Sequence, residues 1–412
     1  MILGIEIENF DVFDKDKAGI LIDDYFAAKA EKASGSDRKD GAARNALRGL
    51  NALIGRNSTG KTSFMGCLAF LKDTVNVGCA EASISYGRPG FANMTPDVSH
   101  PSVFRVFFKL EDDKMHKAKF IQYELAIITS KYKSPVIDSE KILLVTETDG
   151  INDVLTILDT TRGKGTIADP VDGIEQREIG IEDEHLTILS LHGKITGYND
   201  FVLLYKEINN WFFCSFSSEE QSSYFYDGGA PGGHKHLNST GSNVGNVLEY
   251  IKMNDEREYE RVVAEIKDKI PSMKRNKNLP QALKESPNKL FLYLLLLRDP
   301  SPRSTIFIET PDKDLYHDMV DVLSDEMREY TINNHYCQII FSTHNPYIIE
   351  TMSPKEIWIF ERTFEKDDGD VSIRCAGADP LVVEMFRQGI GMGAVWYGGH
   401  LDAKCDDSDA ED

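Results

Sequence analysis

The sequence predicts an α/β fold: a mixed central sheet flanked by helices, interrupted by a β-rich and helical insertion. Three stretches predict it. Between residues 289 and 362, helical segments (289–297 and 315–330) alternate with strand-like ones (305–309, 337–343 and 356–362), the order that builds a parallel or mixed sheet covered by helices. Near the N-terminus, LNALIG (50–55) is a short apolar strand that runs into a Gly-rich loop and then into SFMGCLAFLKD (63–73), apolar at helical spacing. From about residue 80 to 240 the texture changes to segments such as VFRVFFKL (103–110), KFIQYELAII (119–128) and KILLVTET (141–148), which read as antiparallel strands joined by polar turns.

The remaining elements fit around these. Residues 2–13 alternate apolar and polar side chains and read as a half-exposed strand. A charged stretch with Gly35, Ser36 and Asp37 inside it follows as an exposed excursion. Residues 226–245, rich in Gly, His, Ser and Asn, form a long loop, and His234 with His236 supplies too few ligands for a metal site. VGNVLEYIKMNDEREYERVVAEIKDKIP (244–271) is an amphipathic helix. The organisation expected is one α/β domain in two parts, 1–80 and 251–400, with an inserted arm or lid over 81–250 and an acidic disordered tail over 401–412.

Composition narrows the function. Hydrophobic residues are 41% and aromatics 10%, enough for a buried core. The longest apolar run, LFLYLLLL (290–297), falls short of the roughly 20 residues that span a bilayer. MILGIEIENF carries acids where a secretory signal carries Lys or Arg, so the expectation is a cytoplasmic protein with no membrane contact. The six cysteines are scattered without a CxxC pair, which points to reduced thiols. A net charge of −21 disfavours a protein that grips nucleic acid over its whole surface. The local exception is the group Lys267, Lys269, Lys274, Arg275, Lys277 and Lys284, which reads as a solvated surface before it reads as a nucleic-acid or acidic-partner contact.

The loop Gly55-Arg56-Asn57-Ser58-Thr59-Gly60-Lys61-Thr62 matches G-x-x-x-x-G-K-[ST] at every fixed position and lies between a strand and a helix. Its backbone N–H groups and the helix N-terminus suit phosphate, Lys61 reaches the β and γ phosphates, and Thr62 ligates Mg²⁺. Glu309 ends the buried strand IFIE, where P-loop proteins hold Mg²⁺ or its water. His344 follows the strand CQIIF within Ser342-Thr343-His344-Asn345-Pro346, placed to orient water or sense a γ-phosphate. No N/T-K-x-D base-reading motif for GTP is present, so the expected ligands are ATP and Mg.

GRNSTGKT, IFIETPDKDLY and IIFSTHNPYIIE together resemble the ABC-type ATPases related to RecF, the SMC heads and the overcoming-lysogenization-defect proteins, and above all the stand-alone predicted ATPases of the bacterial AAA type in that clan. IEIENFDVF, HLNSTGSNVGNVLEYI and GMGAVWYGGH extend the resemblance over most of the chain. It implies a head that forms a homodimer or higher oligomer with two ATP molecules between opposing protomers. It also implies a separate effector protein, as in the sensor half of two-gene bacterial systems that include phage defence.

Two departures stand out. Where the family places a second acid to polarise the attacking water, this chain has Thr310, and such assistance is typically worth about 10²–10⁴ in rate. Asp312, two residues on, substitutes only if the loop is rearranged. The signature turn that touches the γ-phosphate across the dimer corresponds to KESPNK (284–289). Ser286 and Pro287 make a good helix start, but the glycine is missing, which leaves Ser286 or Asn288 to reach a phosphate. Two readings stay open: a slow ATPase that acts as a switch, and a non-hydrolysing nucleotide-binding scaffold. A DNA repair or recombination head is the third, and the acidic balance weighs against it.

Overall fold

Unbroken apolar runs, bounded by turns, set the central sheet of the computed structural model. It describes residues 1–14, 18–20, 46–112, 117–148, 151–168, 176–195, 199–216, 235–270, 289–299, 301–362 and 371–402. Six strands pair in the order β10-β11-β12-β3-β13-β14: β3 is Leu50–Ile54, β10 Trp211–Cys214, β11 Thr305–Glu309, β12 Gln338–Ser342, β13 Ile357–Arg362 and β14 Val371–Cys375. The first five are parallel and β14 is antiparallel to β13, so the sheet is mixed, as the α/β alternation predicts. A second, antiparallel sheet has the order β2-β1-β4-β5-β6-β7-β8-β9. Its strands are β1 (Ile2–Glu8), β2 (Ala18–Ile20), β4 (Ser102–Asp112), β5 (Lys117–Thr129), β6 (Pro135–Thr148), β7 (Ile151–Thr161), β8 (Lys164–Ala168) and β9 (Gln176–Gly180).

Ten α-helices are described: α1 (Lys61–Val77), α2 (Cys79–Ala82), α3 (Ile188–His192), α4 (Asn199–Asn209), α5 (Val244–Asn254), α6 (Glu256–Lys269), α7 (Lys289–Leu296), α8 (His317–Asn333), α9 (Pro380–Arg387) and α10 (Met392–Tyr397). Side chains alternate across each strand, so every central strand serves two cores. Phe307, Ile340, Trp358 and Phe360 face one core with α1 and the apolar face of the antiparallel sheet. Ile306, Ile308, Ile339, Phe341 and Ile359 face the other, with α5, α6, α7 and α8. Helix α1 is thus shared between the two sheets. Phe64 is fully buried in edge contact with Phe360, ring centroids 5.4 Å apart, and such burial is worth about 1.5–3 kcal/mol.

Three expectations are corrected. The N-terminal strand is not half-exposed: β1 lies between β2 and β4, with Ile5 and Ile7 in the main core and Leu3 packed with Ala46 and Phe107 on the opposite face. Its polar member Glu6 is buried too, paired with Arg105 at 3.2 Å, and Arg105 also pairs with Glu8 and Glu124. The alternation therefore marks two covered faces, one of them ionic. The stretch from 244 is two helices rather than one, because Asp255 is extended (φ −152°) and its carboxylate accepts from Arg257 N and Glu258 N, which starts α6 afresh.

The 226–245 loop also ends earlier than expected, at Val244, which begins α5. Of its histidines, His236 pairs with Asp299 at 2.7 Å, while His234 lies outside the described residues. The acidic tail beyond Asp402, and Lys274, Arg275, Lys277 and Lys284 of the basic group, also lie outside them. Lys269 is taken up by an ion pair to Glu326. The five described cysteines are free and buried. No described helix is long and apolar enough to cross a membrane.

Candidate nucleotide site

The sheet register brings three strand ends together. Glu309 of β11 stands opposite Ser342 of β12, and Ser342 stands opposite Leu53 of β3. The carboxyl ends of parallel strands are where α/β folds place ligands, and here they carry the three sequence motifs side by side. The loop after β3 makes a tight return into α1. Gly55 has φ 140°, and a Cβ there would lie 2.3 Å from Phe360 O, so any side chain would collide with β13. Gly60, at φ 98°, is the residue from which α1 starts.

Lys61 is almost fully buried and donates to Gly55 O (2.8 Å) and Arg56 O (2.7 Å) of its own loop. Thr59 Oγ1 donates to Arg56 O at 2.9 Å, which closes the same turn. Burial pulls the Lys61 pKa down to about 8. The cation is therefore held against carbonyl dipoles inside the loop, where an anion would find it already placed. Arg56, Asn57 and Ser58 are exposed on the outer side of the loop.

Thr62 Oγ1 donates to Glu309 Oε1 at 2.5 Å, across 247 positions of chain. A hydroxyl and a carboxylate are hard oxygen ligands, and this pair fits Mg²⁺ in the way such ions are held beside phosphate, through few protein oxygens. Bound there, Mg²⁺ would neutralise charge on phosphate oxygens. His344 lies at the surface just past β12, and its pKa is lowered, first by partial burial and then by the charge of Lys61. The ring is neutral at physiological pH and available as donor or acceptor.

Asp312 is not presented to this cleft as a free base. Its Oδ1 accepts from Thr343 Oγ1 at 2.7 Å, and burial pushes its pKa up, opposed by that hydrogen bond. Thr310 stands beside Glu309 in the left-handed region (φ 41°), with its N–H donating to Ser342 Oγ at 3.2 Å. Ser286 and Asn288 lie outside the described residues. Two residues outside the sequence candidates also belong to the site: Lys289, the last residue of KESPNK, whose Nζ donates to Thr310 O (3.3 Å) and Lys313 O (2.5 Å), and Thr343, one position before the histidine. The signal for both was their place inside motifs already singled out; their partners lie too far away in sequence to be read.

Residues 288–350 match the family model described as "AAA domain, putative AbiEii toxin, Type IV TA system", a span that runs from the start of α7 past His344. No curated protein matches the chain. Among solved structures, an Smc head bound to the C-winged helix domain of ScpA is similar at 10% identity, over 91% of this chain and 98% of that one, with a TM-score of 0.44. The Smc head with an extended coiled coil bound to the C-terminal domain of ScpA, from Pyrococcus furiosus, is similar at 11% identity, over 94% and 99%, with a TM-score of 0.43. The recombination mediator RecF is similar at 9% identity, over 90% and 98%, with a TM-score of 0.33. The phosphate loop, the acidic strand and the histidine strand thus lie side by side at one edge of the parallel sheet, and the last two fall within the residues, 288–350, that are similar to that AAA family.

Proposed function

We propose that this chain binds ATP with Mg²⁺ and acts as a nucleotide-dependent switch or scaffold in an oligomeric complex, with weak hydrolysis. The observation that carries the reading is the Thr62–Glu309 pair at 2.5 Å, next to a lysine held inside a complete phosphate loop. In this reading Gly55 to Thr62 cradle the phosphates, Thr62 and Glu309 hold Mg²⁺, and His344 meets the γ-phosphate edge. Ser286 and Asn288 reach phosphate from an opposing copy. Residues 1–80 and 251–400 carry the ATPase head and 81–250 the arm, with β10 and the start of α5 from that stretch lying on the head's sheet, and 401–412 is an acidic tail.

A separate effector protein reads the closed state in the cytoplasm. The match to a family whose description includes a toxin of a type IV TA system supports a bacterial defence role, with this chain as the sensor. The net charge of −21 speaks against nucleic acid as the main partner. Thr310 in place of a carboxylate favours a second reading, a non-hydrolysing scaffold.

Equilibrium binding of a fluorescent ATP analogue, run beside steady-state phosphate release, separates these. Binding that is lost in Lys61→Ala, with turnover above that control, supports the switch. Binding with turnover equal to the control sinks hydrolysis and leaves the scaffold. Failure of the intact protein to bind ATP overturns both.

A further inference from the structure

Helix α7 is bonded to the turn beside the candidate site by its first side chain. Lys289, its first residue, bonds to the carbonyls of Thr310 and Lys313, the two ends of the turn that leaves β11. Lys313 N donates to Thr310 O at 3.2 Å and closes that turn. The opposite side of the turn is tied to the end of β12. Thr310 N donates to Ser342 Oγ, Thr343 Oγ1 donates to Asp312 Oδ1, and Asn345 N donates to Thr343 Oγ1 at 2.9 Å. His344 is the residue between the last two partners.

The turn needs this support. Thr310 is β-branched and sits at φ 41°, a conformation that costs on the order of 1–3 kcal/mol and persists only where surrounding bonds over-determine it. The two carbonyls at its ends converge on a single ammonium. Burial lowers the Lys289 pKa to about 8, against the opposing pull of Asp314 and Asp312, so the group is held in a partly dry setting where each such bond counts for more.

We infer that Lys289 is a positioning residue of the nucleotide site: it clamps the 310–313 turn and, through Asp312 and Thr343, the backbone on either side of His344. The start of α7, directly after the 284–288 segment, and the metal-side edge of the site then move as one unit. A cation from α7 organises the place where a second carboxylate is missing. The inference rests on reading that edge as the Mg²⁺–ATP site.

Hydrogen exchange on the full chain tests the clamp without requiring turnover. In Lys289→Met, peptides covering 310–313 and 343–345 should exchange at least tenfold faster, while those within α8 stay unchanged, and Lys289→Arg should restore most of the protection. Unchanged exchange at both segments overturns the inference. So does a loss of protection spread evenly over the chain. Where Lys289→Met is too unstable to measure, Thr343→Val probes the same turn from its other side and should loosen the same two segments.

Binding of the ATP analogue with and without Mg²⁺ supplies the second readout. Lys289→Met should keep metal-free affinity within about threefold and lose about tenfold of the gain that Mg²⁺ gives, with Lys289→Arg recovering most of it. An unchanged Mg²⁺ gain in Lys289→Met overturns the link to the site. An intact protein that binds no ATP fails the functional reading, while the exchange result still decides the clamp.

Discussion

The phosphate loop and the turn after β11 are built alike and stabilised differently. Each follows the carboxyl end of a parallel strand, and each contains a residue at positive φ outside glycine, Ser58 in one and Thr310 in the other. Each wraps two carbonyls around one lysine whose pKa burial lowers to about 8. Lys61 bonds to its own loop, five and six residues back. Lys289 comes from another helix, 21 and 24 residues away. The loop is therefore shaped by its own sequence, whereas the turn depends on its tertiary neighbours. In the function proposed above, nucleotide binding would belong to the first and the fate of the γ-phosphate to the second.

The comparison can be broken most sharply at Thr310. If the missing carboxylate limits turnover, Thr310→Glu should raise steady-state phosphate release by about 10²-fold or more, and the gain should vanish when combined with Lys61→Ala. No gain would mean that the turn, rather than the missing acid, sets the rate. Lys61→Ala should lower affinity for the ATP analogue by about 100-fold, the worth of strong charge-assisted bonds to phosphate, with little change in melting temperature.

The two lysines also bear on pH. A lysine whose folded pKa is about 8, against an ordinary value of 10.5, binds fewer protons folded than unfolded between those limits. The contribution of Lys289 to stability should therefore rise as pH climbs from 8 toward 10.5 and be flat below 8. Thermal melts of the intact protein and Lys289→Met at pH 7, 9 and 10 should show the difference moving by a few degrees in favour of the intact protein. Smallest is the backbone term. Thr310→Gly relieves the left-handed strain and should stabilise the fold by about 1 kcal/mol or less, read as a shift of one to two degrees.

How much of this was legible follows the same division. TIFIE, QIIFS and LNALI are legible in sequence because buried parallel strands are continuous apolar runs; the bounds of β11 agree with expectation and those of β12 and β3 differ from it by one residue. The phosphate loop is legible because its glycines sit at positive φ, 140° at Gly55 and 98° at Gly60, a local demand that the sequence states directly. β10 went unread, since WFFC is only four residues long and becomes a strand by pairing with β11. The burial of β1 was misjudged because the partner of Glu6, Arg105, is 99 positions away. At the site, Glu309 and His344 were named from their strands. The bonds from Lys289 to Thr310 and from Thr343 to Asp312 join residues on different elements, and no local pattern encodes them.

The strand order has a consequence for how the protein is made. β3 is paired on one side with β12 and on the other with β13, elements that the ribosome delivers only in the last quarter of the chain. A nascent polypeptide that has already exposed GRNSTGKT thus has the loop but no floor beneath it, and its strand lacks both neighbours. Such long-range pairing folds slowly and leaves open edges while it waits. In the proposed reading ATP is held only once β12 and β13 have been made and paired with β3, so capture of nucleotide would report a completed sheet.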